Sequence, residues 1–173
     1  MKRLRLLGPL LLACLFSLGV VAQTKVDVSY TSKEKLIVNK LELSKKTKMS
    51  KIVELLGEPD RTSTSKVDET ANFYENLRVV VITKNDLMVA FGMNFTWDNA
   101  ENYPEKSFIG NLNIADYVVT TDSKLEDFSA ISSIAISCPI SIMCGIGQKD
   151  TKTKGLVTFN DDGIMNEVTF LLQ

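Results

Sequence analysis

The chain has 173 residues, 24% of them charged, a formal net charge of −1 and no histidine. The missing imidazole rules out Ser-His-Asp and Cys-His nucleophiles, imidazole metal ligands and a histidine pH switch. The near-neutral charge without a basic run gives no support for electrostatic binding to nucleic acid or to anionic lipid.

Lys2, Arg3 and Arg5 precede an uncharged, mostly apolar run from Leu6 to Ala22, and Val20 and Ala22 stand three and one before Gln23. This is the pattern of a cleavable secretory signal, so residues 1–22 are expected to be removed and 23–173 to form one domain, periplasmic or secreted, with no integral membrane span. The run contains Gly8, Pro9, Ser17 and Gly19 and is short for a spanning helix of about 20 apolar residues. Leu11-Leu12-Ala13-Cys14 also fits a bacterial lipobox, which would lipidate Cys14 and leave a membrane-anchored lipoprotein. The apolar stretch Leu15–Ala22 after it favours the cleaved signal.

Leu36–Val38 and Leu41–Leu43 read as short strands around the turn-prone pair Asn39-Lys40. Thr47 is the expected N-cap of a helix in which Met49, Ile52, Val53 and Leu56 form one apolar stripe, stopped by Gly57 and Pro59. Arg61 to Ala71, rich in Ser and Thr, reads as a surface connection. Leu77–Thr83 and Leu87–Trp97 form the next expected hairpin, and Asp98–Ser107 a second connection. A shift of 76 residues then repeats the pattern: Leu36 falls on Leu112, Val38 on Ile114, Leu41 on Tyr117, Leu43 on Val119, Met49 on Leu125 and Ile52 on Phe128. In this second copy Ser123 and Glu126 are the expected capping box, with Leu125, Phe128 and Ile131 as the stripe. Ile134–Ile136 and Ile140–Met143 add one or two strands, and Gly155–Phe159 with Ile164–Leu172 form a final hairpin turning at Asp162-Gly163. The expected fold is α+β: an antiparallel sheet with two short helices on one face, built as a tandem duplication with copies at about 33–98 and 108–173. Met49, Ile52, Leu56, Leu125 and Phe128 are its expected core, and Phe91 and Phe95 share a buried strand face.

Met49-Ser50-Lys51-Ile52-Val53-Glu54-Leu55-Leu56-Gly57-Glu58-Pro59-Asp60, followed by a polar loop, the aromatics Phe73 and Tyr74 and a hairpin, resembles the β-lactamase-inhibitor-protein-like fold. It is similar also to the small outer-membrane-assembly lipoproteins of the SmpA/OmlA type. The inhibitor proteins are tandem duplications, and the resemblance implies a module that binds another protein. The second copy departs from the motif, with Ile131-Ser132-Ser133 where Leu-Leu-Gly would stand. The whole chain also resembles an uncharacterised bacterial domain family, through this helix and the strand Phe108–Ile114.

The functional expectation is therefore an exported, non-enzymatic protein-binding module without cofactor or metal. Trp97 and Tyr103, at or beyond a strand end, are its expected contact residues, because such aromatics anchor interfaces. The alternative is a structural or assembly factor of the cell envelope, anchored through Cys14. The spacing leaves Cys138 and Cys144 open: a straight strand holds their sulfurs about 20 Å apart, whereas a turn at Pro139 or near Ser141 brings them together. Asp161-Asp162-Gly163 reads as a turn, and Asn94-Phe95-Thr96 as a sequon inside a strand.

Overall fold

The structure, a computed structural model, describes residues 25–65, 67–96, 101–148 and 152–173. The expected leader 1–22, its Ala22/Gln23 cleavage point and Cys14 lie outside them. Thirteen strands and two helices follow one another among the described residues as β1 (Asp27–Tyr30), β2 (Leu36–Val38), β3 (Leu41–Leu43), α1 (Met49–Leu56), β4 (Arg61–Thr64), β5 (Glu69–Tyr74), β6 (Val79–Lys84), β7 (Leu87–Asn94), β8 (Asn111–Ile114), β9 (Tyr117–Val119), α2 (Leu125–Ala130), β10 (Ile136–Ile140), β11 (Met143–Ile146), β12 (Thr153–Phe159) and β13 (Met165–Leu172). The class is α+β. None of the described helices is long and apolar enough to cross a membrane.

The strands form two sheets, where the sequence suggested one. The larger is wholly antiparallel, in the order β10-β11-β12-β13-β7-β6-β5-β4. The smaller runs β3-β2-β1-β8-β9, and its central pair, β1 with β8, is parallel. Two-residue turns with both residues at positive φ close β2–β3 (Asn39, Lys40) and β6–β7 (Asn85, Asp86), the geometry that matches strand twist. The β12–β13 turn is longer: the Asn160 side chain accepts from the backbone of Asp162 and Ile164, and Gly163 takes the positive φ.

Three local expectations are corrected. Arg61–Thr64 is an edge strand, not a loop; all four residues are exposed, so no apolar alternation marks them. The Thr47 hydroxyl does not cap α1: it accepts from the backbone of Ser44, and Lys48 stands at the N-cap. At α2 the capping contact moves one residue on, the Asp127 carboxylate accepting from the N-cap Lys124 amide at 2.8 Å. Ser123 instead accepts from Thr120 and bonds the Tyr117 hydroxyl.

The two halves run in the same element order, β2 to β7 and β8 to β13. Each helix start is stitched to the last hairpin of its half, Met49 to Asp86 and Met88 to Thr47 in one, Leu125 to Gly163 and Met165 to Ser123 in the other. The halves meet where β7 pairs with β13. Across the large sheet the register then reads Arg61–Phe73–Val80–Gly92–Thr169–Leu156–Gly145–Ser137, equal numbers of strands on either side of the Gly92–Thr169 pair.

Inner-face side chains of both sheets and the helix stripes share one core. Tyr30 of the small sheet stacks on Phe170 of the large one at 5.1 Å, and its hydroxyl donates to the Thr153 carbonyl at 2.6 Å. Phe128 of α2 meets Phe159 and Tyr117 edge-on. Ile52, Leu56, Phe91, Phe95 and Phe128 are buried, whereas Met49 and Leu125 are only partly so, at the first turn of each helix. Tyr74 is the odd member: its hydroxyl is buried without a hydrogen-bond partner, and burial, with Glu58 and Asp60 nearby, pushes its pKa up to about 12.

Truncating Ile52 or Phe128 to Ala is expected to cost about 2–5 kcal/mol in urea unfolding, the range for large-to-small core changes. Tyr74 favours its protonated form in the fold, so its contribution is complete below the unfolded pKa near 10 and is lost as pH rises through about 12. Tyr74→Phe should therefore melt at or above wild type at pH 7, since it removes a buried hydroxyl that has no partner, and its advantage should grow at pH 11.

Candidate functional site: a groove on the outer face of the large sheet

Residues that alternate with the core on β4 to β7 point to the opposite face, and this second face is itself partly covered. Phe73, Val80 and Ala90 are buried there. The cover comes from residues 101–108, ahead of β8, tied down by the Phe108 amide on the Asn94 carbonyl (2.6 Å), Arg78 on the Ser107 carbonyl (2.7 Å) and contact of the Phe95 and Phe108 rings.

Tyr103 places this cover. Its ring rests over Gly92, where an added Cβ would lie 2.9 Å from both the Tyr103 ring and the Val80 side chain. Its hydroxyl bonds that of Thr169 across the β7–β13 junction. Beside it a groove of about 850 Å³ opens toward the β4 edge. Val80, Ile82 and Ala71 line it with apolar surface, Ser63 on β4 and Ser65 just beyond it add hydroxyls, and Glu69, Glu101 and Glu105 bring carboxylates. Arg61 closes the β4 side: its guanidinium lies 3.4 Å from the Phe73 ring centroid, and its Nε donates to Glu75 at 2.8 Å. An exposed cation–π contact of this kind contributes about 0.5–1 kcal/mol. A cleft of this volume, with an apolar floor and a polar, charged rim, has the dimensions of a binding site.

Of the expected contact residues, Tyr103 is half-buried in the groove wall, and Trp97 lies outside the described residues. Ile82, Gly92 and Arg61 were not singled out by sequence; the alternation of β6 and β7 marks two faces for these strands without showing that the outer one is roofed. Cys138 and Cys144 are bonded to each other, closing the β10–β11 hairpin with Cα atoms 4.1 Å apart and Ser141-Ile142 in the turn. A loop this short stabilises by about 2 kcal/mol in the chain-entropy account. This bond is at the far edge of the sheet from the groove. Asp161 and Asp162 are exposed in their turn, and Asn94 is fully buried, out of reach of any modification. Among the described residues no group of three or more Cys, Asp or Glu is placed to hold a metal ion.

These features define a two-sheet α+β domain with a disulfide-closed hairpin and a roofed cleft on its outer face. The chain belongs to the family described as "Domain of unknown function (DUF7738)", whose model matches residues 27–129, from β1 into α2. No curated protein matches it. Among solved structures, a cysteine-rich secretory protein from Staphylococcus aureus subsp. aureus Mu50 is similar, with 11% identity and a TM-score of 0.44 over 86% of this chain. This chain spans about half of that one, 52%.

Gly92→Ala is expected to destabilise by about 1–3 kcal/mol through overpacking. In a Tyr103→Ala background the cost should shrink by at least about 0.5 kcal/mol, the mark of direct coupling. A double-mutant cycle by urea unfolding measures both.

Proposed function

We propose that this chain is an exported, non-enzymatic protein-binding module, built by tandem duplication, whose contact surface is the Tyr103 groove. The observation that carries the reading is the placement of Tyr103 over Gly92, which holds a cover off an otherwise complete sheet face and leaves a cleft beside it.

The duplication reading rests on the common element order and on the register, which sets four strands on either side of the Gly92–Thr169 pair. Counted outward from that pair, Arg61 and Phe73 stand where Ser137 and Gly145 stand on the other side. The groove side carries a guanidinium stacked on an aromatic ring, and the other side two small residues. Two copies that keep a core and diverge at one outer patch are what a single-site binding module requires. The basic, then apolar leader supports export to the periplasm or beyond, and the resemblance to the β-lactamase-inhibitor-protein-like fold agrees with a protein partner. The second reading, an envelope assembly factor anchored through Cys14, is favoured by Leu11-Leu12-Ala13-Cys14; palmitate incorporation abolished by Cys14→Ser would select it.

Photo-crosslinking tests the contact surface. With benzoylphenylalanine at Ile82, bacterial envelope extracts should yield a discrete adduct that unlabelled wild-type domain competes away. The same group at Val118, exposed on the small sheet, should yield none. Adducts at position 118 and not at 82 would sink the proposal.

A further inference from the structure

We infer that the groove takes a short, extended, basic segment of polypeptide. This rests on the reading of the groove as a contact surface and adds the chemistry of the occupant.

Charge decides the class. The described lining carries three carboxylates, Glu69, Glu101 and Glu105, and one cation, Arg61. That cation is already committed, since its guanidinium is bonded to Glu75 and stacked on Phe73. None of the three carboxylates is in an ion pair among the described residues. Lys84 stands opposite Glu69 in the β5–β6 register, so the net negative charge is that of Glu101 and Glu105 on the cover; an anionic occupant such as a phosphate or an acidic peptide would meet it, and a lysine or arginine side chain would be attracted.

Shape decides the form. The lining touches five strands, from Arg61 on β4 to Thr169 on β13, but Tyr103 covers Gly92 and Thr169, so the open floor runs over β4, β5 and β6. Neighbouring strands stand about 4.8 Å apart, so that floor is about 10 Å long, the span of about three extended residues. In such a segment alternate side chains point to opposite sides. One set would lie on Val80, Ile82 and Ala71, and the other would reach the carboxylates. The occupant that fits is an extended stretch of about three residues in which small apolar and basic side chains alternate.

Fluorescence anisotropy with three labelled peptides tests this on the whole mature domain: alternating valine and lysine, and the same peptide with every lysine replaced by glutamine or by glutamate. The lysine peptide should bind at least tenfold more tightly than the glutamine one, the glutamate peptide should show no binding, and added salt should weaken the lysine peptide alone. The combined variant Glu69→Gln, Glu101→Gln, Glu105→Gln, checked for an unchanged Tm, should level lysine and glutamine. If its Tm falls, the loop pair Glu101→Gln, Glu105→Gln should narrow the preference in the same direction. Equal binding of the lysine and glutamine peptides to wild type overturns the charge argument. Absence of binding by all three, with crosslinking at Ile82 still productive, overturns the inference and leaves the contact surface standing; failure of both experiments removes both.

Discussion

The pairing of β7 with β13 is the contact on which the rest of the molecule depends. It joins two four-stranded units into one sheet of eight, and it is antiparallel, with Gly92 opposite Thr169 and Phe91 opposite Phe170. Without it each unit would end in a long apolar edge strand, a liability that folded proteins bury or blunt. On the inner face the junction brings together Phe91, Met93, Val168 and Phe170, all fully buried. Phe170 then receives the ring of Tyr30, so the small sheet is anchored at the same junction.

The outer face of that junction has the opposite composition, and the groove follows from it. A side chain at position 92 would fill the space in which Tyr103 lies. The bare backbone lets the connecting segment descend, and the Thr169 hydroxyl fixes how far. Two ordinary requirements, a close approach at a glycine and a partner for a tyrosine hydroxyl, thus set the position of the cover. The groove is what remains between this cover and the β4 edge, where Arg61 shields Phe73 from solvent.

The small sheet joins the halves a second time and by a different geometry. β1 enters between β2 and β8 and runs parallel to β8, with the Asn111 amide bonded to the Asp27 carboxylate at 2.6 Å. Gly110 is demanded here, since an added Cβ would lie 2.1 Å from the Val26 carbonyl oxygen. Two junctions on opposite sides of one core make separation of the halves costly, which suits a surface assembled from β4–β7, β13 and the segment between the halves.

Much of this was legible in the sequence, for a physical reason. Elements whose stability comes from local turns and from burying one face, such as β2–β3, β6–β7, β12–β13 and both helices, print their period and their turn residues on the chain. Leu36–Val38 and Leu41–Leu43 fall where the apolar alternation puts them, and Ile52 and Phe128 are core because a helical stripe has nowhere else to go. Tertiary structure alone decided the rest. β4 is a strand because β5 offers it hydrogen bonds, not because Arg-Thr-Ser-Thr prefers the form. β1 is held from both sides by partners that are not its neighbours in sequence on one side. Cys138 and Cys144 meet because the chain reverses at Ser141-Ile142, and spacing along a chain does not encode that reversal. The groove was the least legible feature, since it is the gap between a strand face and a segment that crosses it. A gap depends on how far two packed pieces are held apart, and in this chain that distance is set by one tyrosine resting on one glycine.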